Sequence, residues 1–99
     1  MIASKTLDGN KLTVALDGRI DTLTAPQLES ELKPLLNGIT ELVLDFAQVA
    51  YISSAGLRVL LATQKSMRTA GGSLMITNAV PAVREVFDIT GFSDILTLA

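Results

Sequence analysis

The chain has 99 residues, a formal net charge of −2, and neither cysteine nor histidine. These counts exclude disulfides and thiolate chemistry, and they remove the most common general base and metal ligand. Hydrophobic residues make up 48% of the chain and charged residues 18%, which predicts one ordered globular domain over residues 1–99. The scattered basic residues offer no surface for nucleic acid.

No apolar run approaches the roughly 18 residues that a membrane span needs. The first residues also lack the charged start and long apolar core of a signal peptide. We therefore expect a cytoplasmic protein that does not insert into a membrane.

The first elements are predicted to form a β-hairpin over residues 2–17. Asp8-Gly9-Asn10 is a turn signal. Apolar and other residues then alternate from Lys11 to Leu16, as in a half-buried strand, so the second strand is better supported than the first.

A loop at residues 17–21 leads to the first predicted helix. Thr24 followed three residues later by Gln27 has the spacing of a capping box. Leucines at helical spacing follow, Pro34 is expected to bend or end the helix, and Asn37-Gly38 supplies the stop.

The most informative stretch comes next. An apolar run closed by Asp45 predicts a buried strand over residues 41–46, with a connection at residues 47–53. Helical spacing of leucines then predicts a helix from about Ser54 to Ala70. Either Ser53 or Ser54 is suited to cap the start of that helix.

The remaining elements alternate between strand and helix. A short strand is predicted at residues 74–76, a helix from Pro81 to Gly91, and an edge strand at residues 95–98. The order β-β-α-β-α-β-α-β predicts an α/β fold, in which an antiparallel hairpin feeds βαβ units of a mixed sheet. The two loops that follow the first parallel strands should share one end of the sheet, which makes Asp21 and Ser54 neighbours.

Catalytic and metal chemistry are poorly supported by these residues. The serines lack a histidine partner and a G-x-S-x-G elbow, so we do not expect an enzyme. Asp17, Asp21 and Asp45 match no metal-binding loop, and Asp45 is more simply a structural hydrogen-bond acceptor. No phosphate-binding glycine motif is present, although weak anion or nucleotide binding at a helix N-terminus stays open. We expect no cofactor and no metal.

The segment from Asp45-Phe46 to Tyr51-Ile52-Ser53-Ser54-Ala55-Gly56-Leu57 closely resembles the signature of STAS domains, and most closely that of single-domain bacterial anti-sigma factor antagonists. Gly18-Arg19-Ile20-Asp21, followed by Ala25 and Leu28, is similar to the first conserved loop and helix of that family. The resemblance covers essentially the whole chain and implies a STAS-like α/β fold.

The resemblance also implies a function. Such a domain binds an anti-sigma factor, usually of the serine-kinase type, and thereby releases a sigma factor. Phosphorylation by that kinase ends the interaction, and a serine phosphatase restores it. By motif position the phosphoacceptor is Ser54, with Ser53 as the alternative. Many family members carry an acidic residue where this chain has Ser53 and a hydroxyl residue where it has Ala55.

The predicted docking surface combines the first conserved loop with the start of the second helix, and its residues are Arg19, Asp21, Thr22, Ser53, Ser54, Gly56 and Arg58. An alternative keeps the fold and changes the role: a scaffold or regulatory subunit of another assembly, such as a transport system, in which Ser54 only caps its helix. Gly56 likewise has two interpretations, since it either exposes backbone to a partner or permits tight packing of the helix on the sheet.

Overall fold

Five β-strands form one mixed sheet in the computed structural model, which describes residues 1–99. The strands are β1 (Ile2–Asp8), β2 (Lys11–Ile20), β3 (Glu41–Ile52), β4 (Ser73–Thr77) and β5 (Thr97–Leu98). The helices are α1 (Ala25–Leu32), continued by a 3₁₀ turn at Lys33–Leu36, then α2 (Ser54–Thr69) and α3 (Pro81–Thr90), which is followed by a 3₁₀ turn at Phe92–Asp94.

The strands lie side by side in their order along the chain, from β1 to β5. β1 and β2 form the antiparallel hairpin, whereas the β2–β3, β3–β4 and β4–β5 pairs are parallel. The predicted α/β fold is therefore confirmed, with the predicted order of elements. Right-handed crossovers between consecutive strands place all three helices on the same face of the sheet.

The core lies between that face and the helices. Alternate residues of β2 and β3 point into it and are almost completely buried, namely Leu12, Val14, Leu16, Leu42, Leu44 and Phe46. On α3, Phe87 packs against Phe46 with ring centroids 6.1 Å apart. No helix of the fold has both the length and the hydrophobicity to cross a membrane.

The second face of the sheet is not covered by helices. One row across it consists of register partners from all five strands, and they are Thr6, Thr13, Val43, Met75 and Thr97. Val43 is half-buried and Met75 is exposed, in contrast to their buried neighbours in sequence. The sheet is thus one-sided, which is less common for strands that pair in parallel.

Two strands are longer than predicted. Residues 17–20 and 47–52, which were predicted to be loops, continue β2 and β3. The pairing shifts register twice along this stretch, because β3 accommodates two more residues than β2. Such bulges interrupt the alternation of apolar and polar residues, which is why the sequence pattern favoured loops.

The start of α1 also differs from the prediction. The Thr24 side chain makes no forward capping hydrogen bond, and Gln27 instead donates to Glu31 at 3.2 Å. The predicted capping box was therefore wrong. Pro34 does end the regular helix early, since the chain tightens into the 3₁₀ turn there.

Candidate functional site

The ends of β2 and β3 bring the two candidate loops together. The backbone N–H of Ser53 donates to the carbonyl of Ile20 at 2.8 Å. This hydrogen bond joins the residue before Ser54 to the residue before Asp21. The β2–α1 loop and the start of α2 therefore form one surface at the carboxyl end of the parallel strands, where open α/β sheets bind their ligands.

The two serines differ in their hydrogen bonding. Ser53 has extended backbone angles and its Oγ accepts from the backbone N–H of Gly56 at 3.4 Å, so Ser53 is the N-cap of α2. Ser54 is the first residue of the helix, its side chain is exposed, and its hydroxyl makes no hydrogen bond within the protein. The hydroxyl available for chemistry is thus that of Ser54.

Gly56 lies in the first turn of α2, on the side that faces the sheet, and is buried. A Cβ atom at this position would lie 2.6 Å from Ile20 Cγ2 and 2.7 Å from Ile52 Cγ1. The absence of a side chain is what lets the first turn of α2 rest directly on the ends of β2 and β3. Gly56 therefore serves the packing of the helix on the sheet, and its place on the docking surface stays a prediction.

Asp21 organises the β2–α1 loop. Its Oδ1 accepts from the backbone N–H groups of Leu23 and Thr24, both at 3.0 Å. The Thr24 hydroxyl donates to the carbonyl of Arg19 at 2.6 Å and accepts from the backbone N–H of Asp21 at 2.9 Å. These bonds fix the loop before any partner arrives.

The same bonds shift the ionisation of Asp21. The N–H of Thr24 is the main cause that lowers the pKa of this carboxyl below its usual range. Desolvation, the second-largest effect, raises the pKa, and the N–H of Leu23, the Thr24 hydroxyl and the charge of Arg19 each lower it further by smaller amounts. Asp21 is therefore a carboxylate that serves as a structural acceptor in the loop.

Arg19 lies on the uncovered face of the sheet, next to this loop. It pairs in register with Tyr51 of β3, and its guanidinium carbon lies 4.3 Å from the centre of the Tyr51 ring. Gly18 lies at the bulge just before Arg19. Its φ of 108° is a backbone conformation that other residues rarely adopt. The exposed side chains of Thr22 and Arg58 complete the predicted set.

Two exposed side chains beside the site were not singled out from the sequence. Leu23 is 86% exposed at the tip of the Asp21 loop, and Tyr51 is 40% exposed at the end of β3. Tyr51 could have been found if β2 and β3 had been extended through residues 17–20 and 47–52. The parallel register then places it opposite Arg19.

Asp45 is a structural acceptor, as predicted. Its Oδ1 accepts from the backbone N–H of Ala47 at 2.9 Å and from the Asn78 amide at 3.1 Å. These contacts tie the first bulge of β3 to the chain that follows β4. No three carboxylates of the structure cluster as metal ligands would.

Comparison with known proteins agrees with this architecture. The sequence profile of the STAS domain matches residues 1–99. The chain belongs to the STAS family. The matched residues include the whole sheet, the helices and the site described above.

The STAS relatives have names that concern sigma-factor regulation. BtrV of Bordetella bronchiseptica, provisionally named an anti-sigma factor antagonist, is 43% identical over 94% of this chain and 80% of its own length. The anti-sigma-B factor antagonist of Bacillus subtilis is 36% identical over 91% of this chain and 83% of its own length.

Solved structures show the same STAS fold. The unphosphorylated form of the anti-sigma factor antagonist SpoIIAA superposes with a TM-score of 0.81 at 18% identity, over 97% of this chain and 86% of that one. The phosphorylated form of SpoIIAA, from Bacillus, gives a TM-score of 0.73 at 17% identity, over 97% and 89% of the two chains. These superpositions show that the chain and SpoIIAA share one fold.

Proposed function

We propose that this STAS protein is an anti-sigma factor antagonist: it binds an anti-sigma factor and so releases a sigma factor. Phosphorylation of Ser54 switches this binding off. The observation that carries the proposal is that the two serines differ in their hydrogen bonding. Ser53 is engaged as the helix cap, whereas Ser54 presents a free, exposed hydroxyl on the surface shared by α2 and the Asp21 loop.

The relatives support this role. BtrV and the Bacillus subtilis protein, which share more than a third of their aligned residues with this chain, both carry names of anti-sigma factor antagonists. SpoIIAA, which shares the fold, has been solved with and without phosphorylation. The proposed partners are an anti-sigma factor of the serine-kinase type and a serine phosphatase. This STAS protein and both partners act in the cytoplasm.

The expected effect of phosphorylation follows from its charge and its location. A phosphate adds a charge of about −1.5 to −2, which takes the formal net charge of the chain from −2 to about −4. At the N-terminus of α2 this charge is favourable to the helix, because the first backbone N–H groups point toward it. Phosphorylation therefore ends binding through bulk and repulsion at the interface and leaves the domain folded.

The test is incubation with ATP and each kinase-like anti-sigma factor of the same genome, followed by intact mass measurement and fragmentation. We expect one phosphate on the wild type and on Ser53→Ala, none on Ser54→Ala, and loss of binding after transfer. A Ser54→Asp variant should keep its melting temperature within a few degrees and lose affinity.

A different result would favour a constitutive scaffold. If no kinase transfers phosphate, while wild type and Ser54→Ala bind a partner equally well, Ser54 is only the first residue of a helix. A Ser54→Asp variant that loses secondary structure would contradict the interface mechanism.

A further inference from the structure

The Arg19–Tyr51 pair is arranged in a way that the stability of the fold does not require. Both side chains leave the sheet on its uncovered face, opposite the buried Ile20 and Ile52 that follow them in sequence. A stacked pair of this kind at an exposed site contributes about 0.5–1 kcal/mol, which is little for an aromatic side chain that is 40% exposed.

Stacking leaves the hydrogen-bonding groups of Arg19 free. The guanidinium carbon lies over the Tyr51 ring, and the guanidinium N–H groups make no hydrogen bond or ion pair within the chain. The hydrogen bond between Thr24 and Arg19 is made by the backbone carbonyl of Arg19, which accepts from the Thr24 hydroxyl, and it leaves the guanidinium unused. Arg19 thereby presents a planar fork of free donors at the edge of the site.

The neighbouring carboxylate does not occupy that fork. Asp21, two residues away, directs its Oδ1 to the backbone of Leu23 and Thr24. The fork is therefore available to an anion from outside the chain. A carboxylate is the group whose geometry matches it, through two parallel N–H···O bonds.

The charge of the partner follows from the switch. If a phosphate on Ser54 ends binding by repulsion, the surface that faces this site must carry negative charge. Arg19, which pairs in register with Tyr51 three residues before Ser54, complements such a surface. We propose that the Arg19–Tyr51 pair is a preformed anchor for an aspartate or glutamate of the anti-sigma factor, in which Arg19 binds the carboxylate and Tyr51 positions Arg19. This inference rests on the proposed function and adds the chemistry of the partner.

The experiment compares affinities for the anti-sigma factor that phosphorylates the wild type. We expect Arg19→Gln to weaken binding about tenfold or more, and Arg19→Lys to restore only part of it, because lysine lacks the planar fork. Tyr51→Leu should weaken binding about two- to fivefold, as expected for the lost stacking. Tyr51→Phe should stay within about twofold of the wild type, since the ring is kept.

A double-mutant cycle separates positioning from general damage. In the Arg19→Gln background, Tyr51→Leu should have no further effect on affinity, because the group it positions is gone. Arg84→Gln is the matched control: it removes the same charge from an exposed position on α3 and should change affinity less than about twofold. Melting curves of all variants establish that they fold.

Two outcomes overturn the anchor and leave the proposed function standing. In the first, wild type binds and Ser54→Asp does not, yet Arg19→Gln and Tyr51→Leu bind as wild type. In the second, Arg19→Gln weakens binding only when the kinase holds ATP, which would assign the fork to a nucleotide phosphate. If the wild type binds no anti-sigma factor at all, the proposed function fails and the anchor falls with it.

Discussion

Ser53 and Ser54 are adjacent and chemically identical, yet the helix start gives them different tasks. The residue before the first turn accepts a backbone N–H, and the first residue of the turn points to solvent. The sequence pattern predicts that both hydroxyls lie at a helix start, but it does not show which serine is the cap, because serine suits either position. The choice depends on backbone angles that the end of β3 imposes.

A pair of alanine substitutions tests this division of tasks. Ser53→Ala should lower the free energy of unfolding by about 0.5–1 kcal/mol, at the modest end for a lost cap because the bond is 3.4 Å long. Ser54→Ala should change it by less than about 0.5 kcal/mol. Denaturant unfolding measures both, and the reverse ranking would make Ser54 the cap.

Asp21 gives a pH-dependent prediction. Because its pKa is lowered in the folded protein, its ionised form stabilises the fold at pH values above the unfolded pKa of about 3.8. That stabilisation is lost as the pH falls through the lower, folded value. The wild type should therefore exceed Asp21→Asn in stability most at pH 7, and the gap in urea midpoint should narrow toward pH 3. An equal gap at both pH values would contradict this assignment.

At the scale of elements, α2 is positioned by its contact with the ends of β2 and β3. The sequence pattern predicted the helix and its sheet but left Gly56 open between packing and partner contact. The deciding fact is that Ile20 and Ile52 occupy the space that a Cβ atom of residue 56 would need, which no local pattern encodes. The same holds for Tyr51, whose exposure depends on bulges in β3 that local alternation cannot reveal.

Gly56→Ala tests the close approach of α2. Alanine gains about 1 kcal/mol in helix propensity, but its methyl group must displace two isoleucines at a cost of about 1–3 kcal/mol. We expect a net loss of up to about 2 kcal/mol in denaturant unfolding, with weaker binding because Ser54 moves. The control Ser66→Ala, at an exposed position of the same helix, should change stability by less than about 0.5 kcal/mol. A more stable Gly56→Ala would show that the helix has room to retreat.

The whole molecule has one core on one side of one sheet, so its stability depends on few large side chains. Phe87 is fully buried and ties α3 to Phe46 of β3. The sequence predicted the helix and its end at Gly91 correctly, because both are local signals. The bulges of β2 and β3 were missed, and the cap of α2 was left open between Ser53 and Ser54, because both depend on the chain that packs against them.

Truncation of the Phe87 side chain tests how strongly the stability of the fold depends on this single core. Phe87→Ala should lower the free energy of unfolding by about 3–5 kcal/mol, a large part of the roughly 5–15 kcal/mol available to a domain. Ile89→Ala, two residues further along α3 at a position that is 77% exposed, should change it by less than about 0.5 kcal/mol. Similar effects of the two substitutions in urea titrations would mean that α3 does not anchor the core.

The strand order has a consequence for how the protein is made. Each strand from β2 to β5 pairs with the one that precedes it in sequence. A chain that leaves the ribosome at about 5–20 residues per second therefore finds the partner of every new strand already in place. The sheet can grow in the direction of translation, and no strand has to wait for a distant partner to be synthesised.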